Sequence, residues 1–301
     1  MKISLTDRRL IAITGEDKLD FLQGLITNDI NKLTEENSLF SCLLTPQGKF
    51  FADFFIYKNA ERIIIDINWV FIEAFLKKLK MYKLRSDVHI SEISGEVSLD
   101  IDSPSDLNDH SFSYPDPRSA DFGNRVIVEP KPLVNPEQQK LQPEQPKRYP
   151  EQQKCHPELD SGSPTTPPNL STYHQRRIEH KMIDGAYDLI QDKSFILEYG
   201  YNELGAIDFE KGCYVGQEVT TRTFRRGVIR KAIYRFSLKE GNAEIAKDDE
   251  VILDGSKIGK VSFYNDESKQ GLALIKKEKI AELKDAQALI GGNRVVVTCQ
   301  Q

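Results

Sequence analysis

Lys211-Gly-Cys-Tyr-Val-Gly-Gln-Glu218 is the most distinctive segment of this chain. Two glycines, a cysteine and a carboxylate fall within eight residues. Glycine permits backbone angles that other residues resist and lets a ligand approach the main chain closely. A cysteine between Gly212 and Tyr214 is either a small buried hydrophobe or a reactive thiol. From Arg222 to Arg235 six basic residues follow with no acidic one. Such a run is either an ordinary solvated strand and turn or a local patch that catches an anion.

These eight residues resemble the signature of the YgfZ family of folate-binding proteins, which includes mitochondrial relatives in iron–sulfur protein maturation. The family pattern reads Lys-Gly-Cys-aromatic-x-Gly-Gln-Glu, and every fixed position is present. Arg222, Arg226-Gly227 and Arg230-Lys231 fit its basic continuation. Phe21-Leu-Gln-Gly-Leu-Ile-Thr-Asn-Asp-Ile30 and the segment around Thr45-Pro-Gln-Gly-Lys49 resemble the glycine-cleavage T-protein superfamily, to which that family belongs. The resemblance covers most of residues 1–130 and 171–301. It implies an α+β fold, with T-protein-like folate-binding domains around a central channel and then a small C-terminal antiparallel β-barrel. The division expected is 1–227 for the folate-binding region and 228–301 for the barrel.

Read outward from the motif, the chain carries its own signals. Leu10-Ile-Ala-Ile13 makes residues 1–14 a strand, and Leu19, Phe21, Leu22 and Leu25 lie along one side of a helix over 16–24. Leu39–Leu44 and Phe50–Tyr57 flank a Pro-Gly turn as a hairpin, and Arg62–Ile67 adds a strand. Residues 70–84 fit an amphipathic helix with Phe71, Phe75, Leu79 and Tyr82 inward. Val88–Ile101 alternates as strand. Pro115 and Pro117 make 114–118 a loop. Ten of the 14 prolines lie between Pro130 and Pro168, and Pro-Glu-Gln-Gln-Lys occurs at 136–140 and again at 150–154. That composition predicts a disordered insertion over 131–170. A helix is expected over 171–181. Strand-like segments at 232–238, 250–253, 257–263 and 294–298 point to a small barrel or sandwich, with 281–289 a short helix or irregular.

The chain has 301 residues, 39% hydrophobic and 29% charged, with a net charge of −5. It has room for two domains, and nothing in its overall charge calls for direct nucleic-acid binding. The four cysteines, Cys42, Cys155, Cys213 and Cys299, show no CxxC spacing, so a metal site built by this chain alone is not expected. The N-terminal residues lack the apolar core of a signal peptide, and no run approaches a membrane span. The expected place is the cytoplasm, with free thiols and no membrane partner.

The sequence contains no Gly-x-Ser-x-Gly elbow, phosphate loop or dinucleotide fingerprint, which removes several large enzyme classes. A reduced pterin presents ring-edge N–H donors, for which a buried carboxylate is the natural anchor. Its glutamate tail needs a basic exit. Arg177-Ile-Glu179 resembles the Arg-Leu-Glu of the T-protein superfamily, which implies that Glu179 holds the pterin beside Arg177. On spacing alone Glu179 reads first as a helix-surface residue paired with Arg176 or Lys181, and the resemblance reverses that preference. Gly48-Lys-Phe-Phe-Ala-Asp53 resembles the segment in which T-proteins place two aspartates. Asp53 keeps the second, and Ala52 stands at the first. The resemblance makes Cys213 the distinctive thiol, with Asp53 a second catalytic candidate; the neighbouring Lys211 and the arginines downstream would favour its thiolate. Lys211, Gly212, Tyr214, Gly216, Gln217, Glu218, Arg222 and Arg226 are the motif residues expected around the ligand. The ligand implied is tetrahydrofolate or a one-carbon derivative. The partners implied are iron–sulfur assembly factors or client iron–sulfur proteins, with tRNA modification affected indirectly. The alternative is a tetrahydrofolate-dependent one-carbon transferase acting on a protein or tRNA.

Overall fold

A computed structural model describes residues 1–101, 110–130, 168–281, 283 and 285–298. Within these, strand-forming β-branched and aromatic residues build two antiparallel sheets and one barrel. The first sheet has five strands: β2 (Arg8–Thr14), β3 (Ser38–Leu44), β4 (Phe50–Asn59), β5 (Arg62–Asn68) and β6 (His89–Ile93). Their order is β3-β4-β5-β2-β6. β3 is buried throughout and β4 over its first eight residues, so these strands do not alternate in and out. One face packs on the helix α2 (Ile72–Lys83), where the rings of Phe54 and Phe75 lie 5.0 Å apart.

The other face meets the second sheet, of four strands: β1 (Lys2–Ser4), β7 (Glu96–Asp100), β8 (Ser111–Pro115) and β9 (Asn124–Val128), in the order β1-β7-β9-β8. Tyr57 of the first sheet stacks on Tyr114 of the second at 5.3 Å. Charged side chains are trapped between the sheets. Arg125 of β9 donates to Asp66 of β5 at 2.6 Å, and Arg8 of β2 donates to the same carboxylate at 2.5 Å. Arg118 grips Asp116 through two nitrogens, at 2.9 and 2.8 Å. Arg125 also lies over the Phe55 ring at 3.7 Å.

The C-terminal strands close into a six-stranded antiparallel barrel: β10 (Lys231–Glu240), β11 (Glu250–Leu253), β12 (Ser256–Asn265), β13 (Gln270–Lys276), β14 (Asp285–Ile290) and β15 (Asn293–Thr298). Closure removes exposed strand edges. Phe236, Val251, Val261, Ile275, Ile290 and Val297 fill its interior. The barrel is fastened to the body through α4 (Gly185–Asp188), a short helix. Ser262 Oγ donates to Asp188 O at 3.1 Å, and Lys247 Nζ to Tyr187 O and Leu189 O at 2.6 and 3.0 Å.

The α+β body followed by a small antiparallel barrel is as the sequence implied. Several local expectations are corrected. Residues 1–14 hold two strands, β1 and β2, separated by a turn at residues 5–7. Residues 111–115 form β8 despite Pro115, because β8 is the edge strand and Pro115 ends it, where a missing amide is tolerated. Residues 285–290 are β14 and not helix; their alternating exposed and buried side chains fit a barrel wall. The basic residues after the motif begin in a helix, α5 (Gln217–Arg226), and only later enter strand β10. The helix expected over 171–181 is α3 (Pro168–Glu179). Residues 131–167 of the expected insertion, together with Cys155 and Cys299, lie outside the described residues.

Candidate functional site

The motif is anchored by its lysine. The helix α1 (Lys18–Gln23) ends at Gly24, leaving carbonyls that need donors. Lys211 Nζ supplies them, donating to Gln23 O at 2.9 Å, Ile26 O at 2.7 Å and Asn28 O at 2.7 Å. Val215 N also donates to Gly24 O at 3.2 Å. The ammonium is buried, which pulls its pKa down to about 8. Its three protons are committed to carbonyls, so Lys211 is a tether and not a surface cation beside the thiol. This corrects the expectation that it serves Cys213 directly.

Cys213 itself is exposed, whereas Cys42 on β3 is fully buried. Burial pushes the Cys42 thiol well up, and the neighbouring Asp53 carboxylate adds to this. Past Cys213 the chain turns at Gly216, whose φ of 83 lies in the left-handed region and starts α5. Gly216 also sits on the β3–β4 turn. A Cβ there would come within 2.5 Å of Thr45 O and 2.9 Å of Leu44 Cβ, and one at Gly48 within 2.9 Å of Val219 Cβ. The two glycines let α5 lie directly on that turn.

Between α5, the motif and Tyr82 of α2 lies a cavity of about 890 Å³. Cys213, Tyr214, Gly216, Gln217, Glu218, Arg222 and Arg226 all line it. Arg225, Thr221, Val215, Pro46 and Tyr82 complete the wall. Lys211 and Gly212 do not line it. Neither do Asp53, Arg177 and Glu179.

Asp53 belongs to a second, buried group. Its Oδ2 accepts from Gly185 N and from Tyr201 Oη, both at 2.9 Å. Its Oδ1 has no hydrogen-bond partner. Asp184 lies next to Gly185 and accepts from Tyr173 Oη at 3.0 Å. Asp7 accepts from Tyr187 Oη at 2.9 Å and Asn68 Nδ2 at 2.7 Å. Burial first, then repulsion by Asp184, pushes the Asp53 carboxyl up to about 6 and raises that of Asp7 as well. Asp184, Asp7, Tyr187 and Tyr201 were not singled out by sequence reasoning. The Asp184-Gly185 pair alone reads as a turn, and nothing local ties it to strand β4.

The raised Asp53 pKa fixes the sign of a pH effect. The folded chain binds this proton more tightly than the unfolded one, so the group's cost to stability is fully present above about pH 6. It is relieved as pH falls through 6 toward 3.8, a span of roughly two units or about 3 kcal/mol. In Asp53→Asn the cost is absent at every pH. Urea unfolding of both proteins is therefore expected to show the variant losing ground to wild type as pH drops across that window. A stability difference that does not change with pH would overturn the assignment.

Arg177 and Glu179 sit on α3. Arg177 is fully buried, pairs with Asp188 at 2.8 Å and donates to His174 Nδ1 at 2.9 Å. Glu179 is exposed and accepts from Gln175 Nε2 at 3.0 Å. This is the surface pairing that spacing alone allowed, with Gln175 as the partner in place of Arg176 or Lys181. Glu179 therefore does not meet the requirement for a buried pterin anchor. Asp53 Oδ1 is the one carboxylate oxygen among the described residues that is buried and lacks a donor.

No family model matches the chain. Among curated proteins it is 31% identical over 254 residues to the iron-sulfur cluster assembly factor IBA57 homolog, mitochondrial, of Neurospora crassa. The match takes in 76% of this chain and 52% of that protein. The counterpart from Aspergillus oryzae is 29% identical over 275 residues, 80% of this chain and 57% of its own length. The chain thus spans little more than half of the relatives it matches. Among solved structures, glycine cleavage system aminomethyltransferase T from Bartonella henselae superposes with a TM-score of 0.70. That comparison covers 99% of this chain and 84% of the other at 13% identity, a likeness of fold. The chain belongs to the YgfZ family. In this family member the residue that the T-protein superfamily has as glycine after Arg-Leu-Glu is Lys181, and it still adopts the left-handed φ of 53. A left-handed φ at a lysine carries some steric cost. Ala52 is fully buried, opposite Leu43 in the β3–β4 ladder. The relatives' names place them in mitochondria, which does not support the cytoplasmic location expected for this YgfZ protein. Among the described residues, no helix is long and apolar enough to cross a membrane.

Proposed function

We propose that this chain supports the assembly or repair of iron–sulfur proteins, working through the Cys213 thiol and binding tetrahydrofolate or a one-carbon derivative. The observation that carries the reading is that Cys213 is exposed and lines a cavity of about 890 Å³ with three arginines. An exposed thiol on the wall of such a cavity meets a partner or ligand without any rearrangement of the core. The partners we propose are iron–sulfur assembly factors or client proteins, in whichever compartment assembles clusters, and any effect on tRNA modification runs through iron–sulfur enzymes. The iron–sulfur part is supported by the names of the curated relatives.

The folate part is supported by the fold and by the orphaned Asp53 Oδ1, which would accept a ring-edge N–H. The one-carbon transferase reading has less support. Ala52 supplies no carboxylate, and Asp53 Oδ2 already accepts two hydrogen bonds.

One experiment with two arms tests this. In cells lacking the protein, Cys213→Ser is expected to fold yet fail to restore iron–sulfur enzyme activity. Full restoration would remove Cys213 from the function. In calorimetry with tetrahydrofolate, Asp53→Asn is expected to weaken binding by about 2 kcal/mol and Glu179→Gln to leave it unchanged. The reverse order would return the anchor to α3.

A further inference from the structure

The cavity beside Cys213 is larger than a thiol requires, and its charge is one-sided. Arg222, Arg225 and Arg226 line it, against a single carboxylate, Glu218. Glu218 is already held by Arg222 at 2.7 Å, and Arg225 reaches out to Glu210 at 3.3 Å. Arg226 makes no ion pair among the described residues. Two hydroxyls of the same wall, Tyr214 Oη and Thr221 Oγ1, have no hydrogen-bond partner, and Tyr214 is only 7% exposed. Buried hydroxyls in that state call for a partner, either a water or a ligand atom. The occupant this chemistry selects is of peptide size, carries carboxylates for the arginines and brings a sulfur to Cys213.

We propose that Cys213 is a site of reversible S-thiolation by an anionic, peptide-like disulfide. The Cys213 thiol gives its proton to solvent, and Sγ attacks one sulfur of the small disulfide. The Cys213–sulfur bond forms as the small molecule's own S–S bond breaks, and the other half leaves as a thiolate. One disulfide is exchanged for another, so no outside oxidant enters. A second thiolate of the same class reverses the step. The arginines hold the carboxylates while the thiol is masked, which makes this a means of regulating the same site. The inference rests on Cys213 being a free working thiol, and not on which clients it serves.

The test uses the purified, reduced full chain near neutral pH, with three probes: glutathione disulfide (anionic), hydroxyethyl disulfide (neutral) and cystamine (cationic). Intact mass and peptide mapping give the rate at Cys213, corrected by each probe's rate on a free cysteine peptide. The anionic probe is expected to be favoured over the cationic one by at least about tenfold. That preference should shrink with added salt, and should fall in the double variant Arg222→Gln with Arg226→Gln at an unchanged melting temperature. Equal corrected rates, or a preference indifferent to both salt and the variant, would overturn the proposal while leaving the thiol's role standing. A Cys213 that reacts with no probe, or only after Cys42, would sink both. The salt series on the unaltered chain decides the matter even if the double variant folds poorly.

Discussion

Asp66→Ala is expected to destabilise the folded chain by about 3–5 kcal/mol, the range for leaving buried charges without a partner. Asp66 is fully buried and accepts from two buried guanidiniums, Arg8 at 2.5 Å and Arg125 at 2.6 Å. Tyr57 Oη donates to the same carboxylate at 3.3 Å. Removing the carboxylate strands two positive charges between the sheets: Arg125 keeps Tyr57 Oη at 3.0 Å and the more distant Asp116 at 3.6 Å, and Arg8 keeps the main-chain carbonyl of residue 66 at 2.7 Å. Urea unfolding at neutral pH measures the loss. A drop below about 1 kcal/mol would mean that the trapped charges are hydrated or rearranged and do not bind the sheets together. The same network sets an acid limit. Arg118 beside Asp116, and Arg125 and Arg8 beside Asp66, hold both carboxyls below the usual range despite burial. Their stabilisation is present above the ordinary value of 3.8 and is lost as pH falls through their lower folded values. This loss sets in below 3.8, where the gain from protonating Asp53 is already complete.

Lys211→Met is expected to cost about 3 kcal/mol, from three charged hydrogen bonds removed and buried carbonyls left without a donor. The methionine keeps most of the apolar stem, so the loss isolates the ammonium. Arginine is not expected to rescue it, because its planar fork cannot converge on three carbonyls around one point. The variant should also loosen the link between the motif and residues 23–28, and so change the alkylation rate of Cys213. Chemical denaturation together with iodoacetamide kinetics checks both effects. A variant within about 0.5 kcal/mol of wild type would reduce Lys211 to a surface contact.

The parts of this molecule that were legible in the sequence were those whose causes are local. The apolar runs of β3, β4 and β5, the Pro-Gly turn between β3 and β4, and the apolar side of α2 each carry their signal within about ten residues. The motif was legible as a unit, and Cys213 does share a cavity with Tyr214, Gly216, Gln217, Glu218, Arg222 and Arg226. The misread parts depend on partners far along the chain. Lys211 looked like a charge beside a thiol because the carbonyls of Gln23, Ile26 and Asn28 that consume it lie between 183 and 188 residues earlier in the sequence. Glu179 and Asp53 exchanged merits for a similar reason. Nothing near Asp53 in sequence announces that Gly185 and Tyr201 will cover one of its oxygens and leave the other bare. Strand β14 was missed because Ala286 and Ala288 are weak strand formers, and only the barrel's closure gives them an inside.

The contact between Gly48 and Gly216 has a consequence for descent. Neither position can accept a side chain while α5 lies on that turn: a Cβ at Gly216 would meet Thr45 O and Leu44 Cβ, one at Gly48 would meet Val219 Cβ, each would approach the other glycine's backbone at 3.2 Å, and both hold positive φ. The second glycine of the motif is thus one half of a joint whose other half lies in the β3–β4 turn. Relatives that keep α5 on that turn should keep both glycines, and a lineage in which α5 has lifted off the turn is free to lose both. Across an alignment the two positions should vary as a pair, even though only one of them falls inside the motif.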